Sequence, residues 1–243
     1  MTTATAGLRA AIIGLTSFAA LEEELLLATA AARPDGPGSP GCWSATPLVA
    51  HNTEFRRQQV VRLEAIRDGG TPPEFPETDH RSAEVYRRYG QEPAGTVLRA
   101  SRQTVADLVD ALTALPDEDL LEPSRHPWLR GRQLWLQTIV RGFWHPMGHV
   151  GDYYTGHGQP GRAAAMAAQA VAMASYLDAP DPARGMANYN LACAQARSPQ
   201  PAQAAGTLRL AIGLNPDLLA NTAADADLAG LRDSGQLDEL LAT

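Results

Sequence analysis

Lysine is absent from this chain, so all 20 basic residues are arginine. Schiff-base and other lysine chemistry is thereby closed to it. The same bias lowers the information in any one arginine as a chosen anion fork. Cysteine is scarce: Cys42 and Cys193 are the only two, in segments that read as different domains. That excludes a disulfide framework and suits a reducing compartment. Net charge is −7 with no long run of either sign, and the residue order holds nothing like the clustered positive face that nucleic acid requires. Long apolar runs are missing too. The stretch 10–27 is broken by Thr16, Ser17 and Glu22–Glu24, which is too polar for a membrane span. No basic cluster precedes an early apolar core, as it does in a secretory leader. These absences predict a cytoplasmic protein with neither membrane nor nucleic-acid partners.

What is present is helical patterning. The 243 residues, 44% of them apolar, exceed the usual single-domain size and suggest two domains. Residues 8–32 repeat apolar positions at helical spacing through Leu8, Ile12, Leu15, Ala19 and Leu26. The Pro- and Gly-dense segment 33–41 is a loop. A second helix is expected over 46–68, carrying Leu48, Phe55, Val60, Leu63 and Ile66, with Pro47 in its first turn and a cap from Ser44 or Thr46. A loop at 69–80 and a short helix at 81–89 precede a third long helix at 95–115, stopped by Pro116, and a fourth at 131–155. Four long helices predict an all-α four-helix bundle. The fourth contains Gly142, Pro146, Gly148 and Gly151, and its interior proline predicts a kink or break near His145.

Past Gly156–Gly161 the texture changes to Ala-rich helices at 162–177, 184–197 and 201–214. Small residues at Ala192, Ala204 and Ala211 beside Leu191 and Leu208 allow close helix packing. Over Gly185–Pro216 this spacing resembles one degenerate tetratricopeptide repeat. The domains are therefore read as 1–157, a bundle, and 160–243, a small helical repeat domain. Such a tail implies a protein partner, self-association as a homodimer, or a buttress for the bundle.

The chemistry rests on three histidines. His145 and His149 are four apart, so on a helix they share one face. His51, on the second helix, could complete a set of three and leave a fourth position open, as in catalytic metal sites. Neutral imidazole suits Zn, Ni and Fe alike. The plain alternative is three ordinary helix histidines. Asp152, three residues after His149, could orient an imidazole or accept a proton, or simply be a solvated helix-end carboxylate. Glu54 stands in the same relation to His51 and reads more readily as solvated. Arg141, one turn before His145, could fork to a substrate carboxylate or be a surface arginine. Trp43, Trp135, Trp144 and Tyr153 read as core or pocket wall. Cys42 has no neighbour that marks it as a nucleophile, and His80, His126 and His157 receive no role.

At 43–51, WSATPLVAH, and 145–152, HPMGHVGD, the chain resembles the DinB superfamily. The first segment matches a Trp-Ser start that ends in histidine. The second matches a ligand pair four apart with a short Gly-containing tail, with Asp152 where an amide is usual. The resemblance covers roughly residues 1–157. It implies a four-helix bundle holding a divalent metal through His51, His145 and His149. Relatives include mycothiol- and bacillithiol-dependent transferases, the mycothiol-dependent maleylpyruvate isomerase and the ClbS/DfsB-like group, one of which hydrolyses the reactive ring of a genotoxin.

Two functions are therefore expected. One is a metal-dependent enzyme acting on a small-molecule electrophile, either as a transferase or isomerase using a low-molecular-weight thiol such as mycothiol, or as a hydrolase giving self-protection from a reactive natural product. Asp152 and Arg141 are its candidate catalytic groups. The other is a non-catalytic scaffold, with a metal-free bundle and a repeat-like interaction tail.

Overall fold

In the computed structural model, which describes residues 3–30, 42–75, 78–198 and 203–237, every regular element is helical. Helix α1 (Thr3–Thr29) buries Ile12, Leu15, Ala19 and Leu26, the stripe set by its 3.6-residue repeat. Helix α2 (Ala45–Arg67) follows from Ser44, whose hydroxyl makes no capping hydrogen bond, contrary to the expected cap. Helices α3 (Thr78–Tyr89) and α4 (Ala94–Ala114) come next. Pro116 ends α4, and Arg9 of α1 donates to the carbonyls of Leu112 and Leu115 while pairing with Asp117 at 3.0 Å. A helix leaves its last carbonyls without internal donors, so one guanidinium closes α4 against α1. The loop read at 33–41, the first residues of the helix read at 201–214 and the side chain of His80 lie outside the described residues.

After the short α5 (Asp117–Leu121), two 3-10 turns lead to α6 (Leu134–Ile139). Arg130 and Gly131 take positive φ there (53° and 84°), which is why this helix begins later than residue 131. A π-helical turn at Val140–Trp144 connects α6 to α7 (His145–Gly156). Helices α1, α2, α4 and the α6–π-turn stretch (134–144) pack on one another as a four-helix bundle. No described helix is long and apolar enough to cross a membrane.

Where a kink or break was expected near His145, the α-helical pattern is interrupted by that π-turn, and His145 itself keeps helical dihedrals (φ −62°, ψ −48°). Proline at 146 removes the hydrogen bond to the carbonyl of Gly142 and would crowd it. The wider π-turn ends just before the proline, and Arg56 Nε donates to the Gly142 oxygen at 3.4 Å. Gly142 also lies against α1: a Cβ there would sit 2.4 Å from Thr16 Oγ1.

Arg56 belongs to a polar seam that the apolar pattern of α2 does not reveal. Its guanidinium forks onto Glu23 of α1 at 2.7 and 2.9 Å, and both side chains are fully buried. Asn52 Nδ2 donates to the same carboxylate at 2.8 Å, and Ser101 of α4 approaches it at 3.5 Å. Gln59 donates to Thr138 at 3.0 Å. Asn52, Arg56 and Gln59 recur at helical spacing and bind α2 to α1 and to the α6–π stretch.

The chain divides into two compact units, Met1–Tyr153 and Tyr154–Thr243. In the second, α8 (Pro160–Tyr176) packs on α9 (Asp181–Ala196), and α9 on α10 (Ala204–Leu214). The short α11 (Leu219–Thr222) and α12 (Ala229–Asp233) follow. Ala192, Ala204, Leu208 and Ala211 are fully buried between these helices. Gly185 permits the closest approach, since a Cβ there would meet Asn215 Cβ at 2.6 Å.

Arg56→Met leaves Glu23 buried without its partner and Gly142 without its donor, a loss that should cost about 3–5 kcal/mol. Urea unfolding measures it, and adding Glu23→Leu to the same chain should restore part of the loss. Gly142→Ala should lower stability by about 1–3 kcal/mol through the clash with Thr16. In a Thr16→Ala background the same change should become neutral or favourable, because alanine exceeds glycine in helix propensity by about 1 kcal/mol.

Candidate metal centre

Helix α2 and the α6–α7 stretch carry the three histidines to one point. His51 is fully buried on α2, and His145 begins α7 immediately after the π-turn. His149 lies one turn further on. His51 Nε2 stands 3.1 Å from His145 Nε2. The ring centroids are 5.3 Å apart for His51 and His145, 5.0 Å for His51 and His149, and 4.3 Å for His145 and His149. One nitrogen from each ring can be chosen so that all three lie within 4.8 Å of one another.

Aromatic residues wall the group. Phe55, one turn past His51, stacks on His145 at 4.4 Å between centroids and lies 4.5 Å from His51. Trp43 meets His51 edge-on at 5.9 Å and also packs against Tyr86. Trp43, Trp135 and Tyr153 are buried.

Burial holds these imidazoles neutral. The His51 pKa falls to about 3, first by desolvation and then by the charges of His149 and Arg141. His145 is driven well below its ordinary value by desolvation, with His149, His51, Arg141 and Arg56 adding to the effect. His149 is lowered by desolvation, and Asp152 opposes the shift. Asp152 Oδ2 lies 3.8 Å from His149 Nδ1, within ion-pair range but too long for a hydrogen bond. Arg141 lies over the Phe55 ring at 4.7 Å. Desolvation, then the charge of Arg62, lowers its pKa to about 10.

The donor set fits a divalent ion. Both ring nitrogens of His149 are buried without a hydrogen-bond partner among the described residues, a costly state for polar atoms that an ion shared with His51 Nε2 and His145 Nε2 would relieve for one of them. Two nitrogens bound to one tetrahedral ion at about 2.0–2.1 Å stand roughly 3.3 Å apart, close to the observed His51–His145 separation. Neutral imidazole is also the protonation state that ligation demands.

The other sequence-derived candidates divide clearly. Asp152 and Arg141 both border the group, Asp152 beside His149 and Arg141 over Phe55. Glu54 pairs with Arg57 at 2.9 Å. His126 is buried and bonded to the Asp119 carbonyl at 2.9 Å, and Cys42 is exposed. Phe55, Glu23, Asn52 and Arg56 were not singled out by sequence reasoning. Glu23 does fall on the stripe of Leu15, Ala19 and Leu26, and a charge at that spacing is the signal of a buried pair.

The folded protein in chelator binds fewer protons at these sites than the unfolded chain, whose histidines titrate near 6.5. The stability contributed by neutral His51 is therefore complete above about pH 6.5 and is lost as the pH falls toward about 3. Urea midpoints between pH 7.5 and 4.5 should decline more steeply than those of His51→Gln.

Comparison with known proteins agrees with this geometry. The family model described as the DinB superfamily matches residues 15–152, a span that includes α2, the π-turn and all three histidines. No curated protein and no solved structure matched the chain. With more than half of its length covered by that match, the chain belongs to the DinB superfamily.

Proposed function

We propose that this chain is a metal-dependent enzyme acting on a small-molecule electrophile, with His51, His145 and His149 as the ligands. The observation that carries the reading is the convergence of three neutral imidazoles, with both ring nitrogens of His149 buried and without a hydrogen-bond partner among the described residues. Family membership supports it. A divalent ion held there would supply Lewis acidity and lower the pKa of a bound thiol or water.

The chain's own groups then have distinct roles. Asp152 orients the His149 ring or takes a proton from the attacking group. Arg141, over the Phe55 ring, orients the substrate. Phe55 and Trp43 exclude water, which strengthens electrostatic interactions between the remaining groups. The ion is Zn, Ni or Fe, since imidazole ligands suit each. The chemistry is transfer or isomerisation with a low-molecular-weight thiol such as mycothiol, or hydrolysis of a reactive natural product for self-protection.

A second reading gives the chain a scaffold role, with the helices of residues 160–243 acting as a tetratricopeptide-like surface for a homodimer or protein partner. Tyr176 (84% exposed), Leu210 and Leu219 present large apolar side chains to solvent within that segment, which favours such an interaction.

Elemental analysis of protein purified without chelator tests the choice. About one equivalent of divalent ion is expected for a single three-ligand site. It should fall below about a tenth in His51→Ala and His145→Ala while far-UV circular dichroism is retained. Thiol-dependent or hydrolytic consumption of a model epoxide should disappear with the ion. A folded protein that takes up no ion sinks the enzyme reading.

A further inference from the structure

The helix face that carries His51 continues past it. Phe55, Gln58 and Arg62 follow at intervals of four, three and four residues, so by helical spacing they form one stripe with His51. Phe55 touches His145 and lies beneath the Arg141 guanidinium. Arg62 is 8% exposed, and its guanidinium lies 4.7 Å from the Phe75 ring centroid and 5.4 Å from that of Trp128. Its charge also reaches Arg141. The three-histidine group thus grades, through Phe55, into two guanidiniums framed by aromatic rings.

Several donors on this side are left unmatched. Gln58 is 3% exposed, and its Nε2 is buried without a partner. Arg141 Nε and Trp128 Nε1 are likewise buried without partners among the described residues. No carboxylate stands within ion-pair distance of Arg141 among those residues. The nearest acid to the histidines, Asp152, lies eleven residues beyond Arg141, on the order of 16 Å along the helix at 1.5 Å per residue. Buried donors without acceptors carry a desolvation cost that an acceptor-only group removes. A carboxylate is such a group: flat, with two oxygens that a guanidinium and an amide N–H can meet in one plane.

We propose that the substrate of this site is a small-molecule carboxylate whose anionic end docks on Arg141, Arg62, Gln58 and Trp128, placing the rest of the molecule across Phe55 toward the histidines. The inference takes from the proposed function only the position of the reacting end. The anion seat itself is made of residues that are not ion ligands. It gives the site polarity: a cationic, donor-rich end that holds substrate, and an end at Asp152 that handles protons.

Titration calorimetry with succinate, on full-length protein both treated with EDTA and loaded with Zn, tests this. Succinate should bind in both states, and Arg141→Gln should weaken it about tenfold or more, the usual consequence of losing a charge-assisted contact. Gln58→Leu should weaken binding as well, yet raise the melting temperature of ligand-free protein by roughly 2–4 °C by removing a buried unmatched donor. A purely structural glutamine would not combine those effects. Circular dichroism confirms that each variant is folded. The proposal is overturned if succinate fails to bind, binds only with Zn present, or binds both variants as it binds the parent. Tighter binding of phosphate with the same Arg141 dependence overturns the carboxylate assignment. Arg141-dependent succinate binding by a protein that takes up no ion upholds the anion seat and sinks the metal reading instead.

Discussion

The fork of Arg56 onto Glu23 fixes the register on which the site depends. Two opposite charges with almost no solvent exposure tolerate little displacement, because an uncompensated buried charge is far costlier than a strained contact. The pair joins α1 to α2, and the same guanidinium reaches the Gly142 carbonyl that Pro146 leaves without a donor. One side chain therefore clamps α2, α1 and the π-turn together. His51 lies five residues before Arg56 and His145 three after Gly142, so the clamp also sets how the two histidine-bearing helices face each other.

The π-turn takes its meaning from that clamp. In a regular α-helix, Pro146 would leave the Gly142 carbonyl without its donor and crowd it. One wider turn, closed by Gly142 against Thr16, absorbs the proline while the helix continues. The outcome is two imidazoles on one face of α7 and a third opposite them, all desolvated and all neutral. Burial that would penalise charged histidines is the condition that leaves their lone pairs available for ligation.

The apolar stripe of α1, the stop at Pro116 and the Ala-rich packing of the later helices were legible as residues, because each follows from local periodicity or backbone chemistry. The pair His145–His149 was legible for the same reason. The polar seam was harder to see. Glu23 lies in a run of three glutamates that reads as a solvated face, and only its phase with Leu15, Ala19 and Leu26 marks it as inward. Asn52, Arg56 and Gln59 form a polar stripe that reads as the exposed side of α2, yet that side meets α1 and α6. Solvation of such a stripe is decided by what packs on it, and periodicity carries no information about the neighbour.

By itself, then, the chain determined the all-α class, the helix boundaries within a few residues and the identity of three histidines with ligand chemistry. Those properties depend on hydrogen bonds and side-chain spacing within single segments. Only the tertiary structure decided that His51 meets the other two, that a π-turn precedes Pro146, and that Arg141 lies over Phe55 while Asp152 approaches His149. Each of these is a relation between segments up to about a hundred residues apart, set by the burial of charge between helices.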